Sequence, residues 1–229
     1  MDNYLKKYPD ETEFPRINVT TFDKAPSRDG FTLMWANRNT YEIGFNTHRR
    51  SVGLIAPVKK PSPFDMLKSA LVKIQNGNLL NFEEEYALES FYHEINHTKA
   101  KKWASLKPHG AGDYKRTAME TINQFVSRHQ YVDFIRRLGG TATNQNEVLS
   151  NGHGYERWVR NLRCFIREKR LSEKRSLQYF RKRLFNGEYE KLDVVLYKFI
   201  KKYSKTKKGK DAVLASFEKL NSDDFLKSL

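Results

Sequence analysis

The first 62 residues alternate short apolar runs with polar and turn-forming residues, a pattern typical of strands and loops. Segments 31–35 and 41–45 are rich in aromatic and other strand-forming residues. The five residues between them, 36–40, can form a hairpin connection. The sequence therefore predicts a small β-sheet near the start of the chain.

After residue 62 the apolar positions recur at helical spacing. Ser62 can cap a helix that has Pro63 in its first position and ends near residue 75. Two longer helices are predicted over 82–106 and 113–138, and the polar stretch 141–152 is predicted to be a loop. Further helices are predicted over 154–171, 173–186, 188–204 and 211–219.

These elements predict an α+β protein in which a small β-sheet lies beside helices and a mostly helical lobe follows. The expected division is a first domain over 1–140, a loop over 141–152 and a lobe over 153–229. The chain has 229 residues, of which 38% are hydrophobic and 13% aromatic, so it is too apolar to be disordered throughout.

Cysteine usage and hydropathy bear on the compartment. The single cysteine, Cys164, cannot form a disulfide within the chain, which favours a reducing environment. No apolar run approaches the roughly 18 residues of a membrane span, and the first residues lack the apolar core of a signal peptide. We therefore expect a soluble, cytoplasmic protein that does not associate with membranes.

The net charge of +15 is spread unevenly along the chain. Residues 1–150 have a net charge of +4, whereas residues 151–229 hold 21 basic and 10 acidic side chains, a net charge of +11. A basic lobe suits nucleic acid or another acidic partner. Solvated lysine-rich helices have the same composition, so charge alone does not identify a partner.

The sequence His93-Glu94-Ile95-Asn96-His97 has the pattern HExxH and falls inside a predicted helix. Because residues i and i+4 lie on one helix face, His93 and His97 can present ring nitrogens to one metal ion. Glu94 can then act as general base toward a water molecule at the metal. In a chain of this composition the pattern is expected only about 0.01 times by chance. The competing interpretation is a helix with two surface histidines.

The motif resembles that of the zincin metallopeptidases, which place this helix beside a small β-sheet and bind Zn²⁺. The metzincin extension would need Gly and His where this chain has Ala100 and Trp103, so that branch is excluded. The gluzincin pattern uses a Glu on a later helix, and Glu120 is the only Glu between Glu94 and Glu147. The resemblance implies Glu120 as the third ligand.

Other third ligands stay open at this point, namely Asp113, His109 and His129. His129 lies on an apolar stripe and is also compatible with a hydrogen-bonded core histidine. Zincins commonly stabilise the oxyanion with a Tyr or His besides the metal. We favour Tyr155, because it follows a predicted loop and could reach over a cleft. The alternatives are His109, Tyr114, Tyr131 and His153.

The sequence thus predicts a zinc-dependent metallopeptidase, an endopeptidase more readily than an exopeptidase, acting on protein or peptide substrates. An HExxH helix followed by a basic helical tail is also similar to zincin-like proteins of phages and mobile elements. The alternative function is a nucleic-acid-binding or structural protein of such an element, with a structural or relic metal site. Partners at the basic lobe would be nucleic acid or an acidic protein.

Overall fold

The computed structural model describes residues 17–27, 32–37, 40–52, 58–99, 114–152 and 154–229. It confirms the α+β prediction: a small mixed sheet near the start of the chain is followed by helices. Within these ranges, no helix combines the length and the apolar character needed to cross a membrane. Predictions that concern residues 100–113 and His153 lie outside the described residues.

The sheet consists of β1 (Asn18–Phe22), β2 (Met34–Asn37) and β3 (Glu42–Asn46), in the order β1-β3-β2. β3 is the central strand, parallel to β1 and antiparallel to β2. The predicted antiparallel pairing of the two apolar segments is therefore confirmed. A separate two-stranded pair is formed by β4 (Ser51–Val52) and β5 (Val58–Lys59).

The central strand carries the most buried residues of the sheet. Ile43 and Phe45 are fully buried, and the Phe45 ring contacts that of Phe91 with 5.2 Å between centroids. Gly44, between them, faces Trp35 across the β2–β3 pair, and a Cβ at Gly44 would lie 2.3 Å from the indole. The glycine is needed because the indole occupies the space that a side chain would fill.

The first described helix, α1 (Pro63–Gln75), begins as predicted. Ser62 accepts a hydrogen bond from the Asp65 N–H, and the Asp65 carboxylate accepts one from the Ser62 N–H. Burial by itself would raise the pKa of Asp65, but hydrogen bonds from Arg49 and Ser62 outweigh it and lower that pKa to about 2. The start of α1 is thus held by an ionised carboxylate.

Two long helices follow, α2 (Phe82–Lys99) and α3 (Lys115–Arg137). Glu84 at the start of α2 accepts hydrogen bonds from Ser69, Lys73 and the Asn81 N–H. Burial would raise the pKa of Glu84, but these donors lower it overall. The hydrogen bonds from Ser69 and Lys73 connect α1 to α2, and α2 also packs against β2 of the sheet.

The prediction of a loop over 141–152 is wrong for most of its length, because α4 (Gln145–Asn151) occupies it. Val148 is the only apolar residue of α4 that is buried, so the segment has no apolar periodicity to reveal a helix. The remaining helices are α5 (Glu156–Glu168), α6 (Glu173–Asn186), α7 (Leu192–Ser204), α8 (Lys210–Lys219) and α9 (Ser222–Ser228). A 3₁₀ turn, Tyr189–Lys191, precedes α7, and the sequence pattern does not predict α9.

The chain divides into two compact units, and the division passes through α3. One unit contains the strands, α1, α2, the second half of α3 and α4. The other contains described residues 114–126 and 154–229, and its core is formed by α3 and α5–α9. Fully buried members of that core include Ile122, Phe125, Leu162, Phe165, Phe180, Leu184, Leu196, Ile200, Val213 and Phe217.

Candidate metal centre

One face of α2 carries polar side chains that are buried instead of solvated. Glu85, Glu89, His93 and His97 follow one another at intervals of four residues and are all buried. A spacing of four advances about 40° around a helix per step, so these side chains form one slowly turning row. Buried polar groups need partners, and the partners given below come from α3 and from the residues before α4.

α3 lies antiparallel to α2 along this row. Near its end, the Tyr131 hydroxyl donates a 2.8 Å hydrogen bond to Glu85 at the beginning of α2. One turn earlier on α3, the Ser127 hydroxyl accepts a 3.0 Å hydrogen bond from the Asn96 amide. Burial, together with the charge and hydrogen bond of Glu85, raises the pKa of Tyr131, so the phenol stays protonated.

The Glu85 carboxylate also fixes the segment that precedes α4. Besides Tyr131, it accepts hydrogen bonds from the backbone N–H of Thr143 at 2.6 Å and of Asn144 at 2.9 Å. The Asn144 side-chain amide donates to it as well, at 2.8 Å. The Glu85 carboxylate of α2 is therefore hydrogen-bonded both to α3 and to the residues just before α4. These bonds fix the position of α2 relative to both elements.

Two turns before Ser127 on the same continuous helix, Glu120 joins His93 and His97. One ligand atom from each of these three residues lies within 4.8 Å of the others. All three side chains are buried, with exposures of 4% for His93 and 7% for both His97 and Glu120. Thr117, one turn earlier on α3, donates to Glu218 of α8 and so holds the first turns of α3. The structure thus brings together the three residues predicted as ligands.

The geometry of this group suits a metal ion. The two Nε2 atoms of His93 and His97 are 2.9 Å apart. Two Zn–N bonds of about 2.05 Å at a tetrahedral angle place the nitrogens about 3.3 Å apart, so a widening of about 0.4 Å is enough. Two imidazoles and a carboxylate are the donor set of many catalytic zinc sites. The residues present therefore fit Zn²⁺.

The two predicted catalytic residues, Glu94 and Tyr155, lie in different surroundings. Glu94 follows His93 on α2 and is half-buried, so part of its side chain remains accessible. Tyr155 directly precedes α5 with a left-handed backbone (φ 51°), and its ring stacks on Trp158 with 5.3 Å between centroids. The oxyanion role of Tyr155 stays a prediction.

The competing candidates are accounted for in part. Asp113, His109 and His153 lie outside the described residues. His129 is half-buried and does not belong to the metal-binding group, while its carbonyl accepts a 3.4 Å hydrogen bond from Gln145. The Tyr131 hydroxyl already donates its hydrogen bond to Glu85, so it has little freedom to donate one to an oxyanion.

The sequence did not predict the two buried polar pairs between α2 and α3, Glu85–Tyr131 and Asn96–Ser127. Of these four residues, only Glu85 has a signal in the sequence. Glu85 and Glu89 continue the four-residue spacing of His93 and His97 backward along the helix, which places them on the same face. Their partners on α3 have no comparable signal, because each pair joins residues more than 30 positions apart.

No protein-family model matches the chain, and neither curated proteins nor solved structures provide a match.

Proposed function

We propose that this protein is a zinc-dependent metallopeptidase that hydrolyses internal peptide bonds of a protein or peptide substrate. The observation that supports this best is the buried group of His93, His97 and Glu120, with Glu94 next to His93 on α2. Two imidazoles and one carboxylate supply three donors, which leaves a coordination position for the reaction.

Each residue has a distinct task in this proposal. His93, His97 and Glu120 would hold Zn²⁺, which when bound polarises the scissile carbonyl and acidifies water. Glu94 takes the proton from the attacking water and passes it to the leaving nitrogen as the peptide bond breaks. Its partial exposure suits this task, because a fully enclosed carboxylate could not reach a substrate.

The donor count favours catalysis over a structural role for the metal. Structural zinc sites in proteins are usually closed by four protein ligands, mostly Cys and His. In the part of the chain that the structure describes, the group has three members and none is a cysteine. Cys164 lies in α5 and is half-buried. A single cysteine also supports the cytoplasm as the proposed compartment.

The decisive variant is Glu94→Gln, which keeps the size of the side chain but removes its basicity. Turnover of a quenched-fluorescence peptide library is measured on zinc-loaded wild type and variant, with zinc content determined on the same samples. We expect one zinc per chain in both and a loss of activity of at least about 10²-fold in the variant. Undiminished activity of Glu94→Gln with zinc bound would refute the mechanism.

A further inference from the structure

A basic groove with an aromatic wall lies within the helical unit, between α6 and α7. It encloses about 340 Å³, at the lower end of the range for ligand pockets in proteins. Tyr179 and Arg183 of α6 line one side, and Lys198 of α7 lines the other, with Lys191 at the connection between the helices. No residue of this groove belongs to the proposed metal centre.

The cations of the groove are available for an anion. Arg183 and Lys198 are both exposed, and neither forms an ion pair with a carboxylate among the residues that the structure describes. Lys191 pairs with Glu188 at 2.7 Å, and Glu188 is the only acidic side chain among the described residues that line the groove. The groove therefore keeps a positive excess where it opens to solvent.

Aromatic rings are interleaved with these cations. The Arg183 guanidinium lies 5.5 Å over the ring of Tyr179, and that ring packs against Phe199 of α7 at 5.5 Å. Toward the end of α7 the pattern repeats, because the Lys202 ammonium lies 5.1 Å over the ring of Tyr203, which is 37% exposed. A surface built only for solubility needs charges but no exposed rings beneath them.

We propose that this groove binds single-stranded nucleic acid, with phosphates at Arg183 and Lys198 and a base beside the partly exposed Tyr179 ring. Positive grooves combined with aromatic platforms are how proteins bind single strands without regard to sequence. An acidic peptide would satisfy the charges but would leave the rings without a role. A duplex keeps its bases stacked inside, so it could not place one in a concave pocket of this size.

The test measures anisotropy of a fluorescein-labelled 15-nucleotide dT strand with the full-length protein over a range of NaCl concentrations. The variant is Arg183→Ala with Lys198→Ala, and the control is Lys219→Ala with Lys227→Ala, which removes two exposed cations from α8 and α9 of the same unit. Loss of two phosphate contacts lowers the slope of log K against log salt by about 1.4 and weakens binding about tenfold in low salt. The control should change neither quantity appreciably.

The aromatic part of the proposal is tested on the ligand side. A 15-nucleotide abasic strand has the same charge as dT and no bases to stack, so it should bind wild type at least about fivefold more weakly. Equal affinity for both strands would overturn a stacking role. Equal losses in groove variant and control, tighter binding of a duplex, or equally effective competition by polyglutamate would overturn the single-strand groove. Because no zinc ligand is altered, these outcomes are independent of peptidase activity.

Discussion

Zinc binding should raise the thermal stability of this protein, because the ligand group is assembled in the folded state. His93 and His97 already direct their Nε2 atoms to within 2.9 Å of each other, and Glu120 lies within reach of both. A widening of about 0.4 Å brings these two nitrogens to the separation that they have in a tetrahedral zinc site. Because the three donors are brought together in the folded state and not in the unfolded chain, a metal ion bound by them would stabilise the fold.

The expected shift follows from mass action. With free zinc at 100 times its dissociation constant, binding to the folded state alone adds about 2.7 kcal/mol to the free energy of unfolding. For proteins of this size, 1 kcal/mol corresponds to about 2–4 °C in melting temperature, so we expect a rise of about 5–10 °C. The measurement is a calorimetric or circular-dichroism melt of chelated protein with and without added zinc.

Ligand variants sharpen this prediction. His93→Ala and His97→Ala should abolish the zinc-dependent shift, because two protein donors cannot hold the ion. Glu120→Gln replaces a charged donor by a neutral one, and a hundredfold loss of affinity would reduce the stabilisation at the same zinc concentration to about 0.4 kcal/mol. That corresponds to a shift of about 1–2 °C.

Two matched variants serve as controls. Glu94→Gln lies on the same helix but is not a ligand, and His129→Ala removes a histidine of α3 outside the group. Both should keep the full shift. Zinc binding by His93, His97 and Glu120 would be refuted if wild type showed no zinc-dependent shift, or if the His93→Ala and His97→Ala variants kept it.

Two further predictions concern the scaffold. Glu85→Ala leaves the Tyr131 hydroxyl and two backbone N–H groups without their buried acceptor. The free energy of unfolding, measured in urea, should therefore fall by about 3 kcal/mol or more. A loss below about 1 kcal/mol would show that water replaces the carboxylate. Asp65→Asn should flatten the loss of stability in acid. Because the folded pKa of Asp65, about 2, lies below its ordinary value of 3.8, its contribution is complete above pH 4 and disappears as the pH falls toward 2. Unfolding of wild type and variant between pH 6 and 2 checks this, and parallel curves would contradict it.

The candidate ligands could be predicted because their signal is local. The four-residue spacing of His93 and His97 places both rings on one helix face whatever surrounds them. Predicting Glu120 required one more assumption, namely that the following helix runs back antiparallel to α2. That helix must also carry an acidic residue where it passes the two histidines. The antiparallel pair of strands within the sheet was equally accessible, since alternation of apolar residues and a short connection specify such a pair. The parallel pairing of β1 with β3 has no such local signal.

Helix α4 could not be predicted for a physical reason. Its single buried apolar residue, Val148, gives no periodicity, and the Asn144 side chain does not cap it. Its start is held instead by the Glu85 carboxylate, which lies 58 residues away from Thr143 in sequence. Local propensity has no access to a partner at that distance, so tertiary contacts decided the structure of a segment whose own residues favour a loop.

The row of buried polar pairs explains how two helices can present ligands from different parts of the sequence to one point. Apolar faces alone tolerate sliding of one helix along another, because many registers bury similar area. A Glu85–Tyr131 pair and an Asn96–Ser127 pair tolerate only one register, since a slip leaves buried donors and acceptors unmatched. Glu120 lies on the same continuous helix as Ser127 and Tyr131, two turns before Ser127. Burying polar groups along α2 thus costs stability, but it fixes the positions of the side chains with the accuracy that a metal site requires.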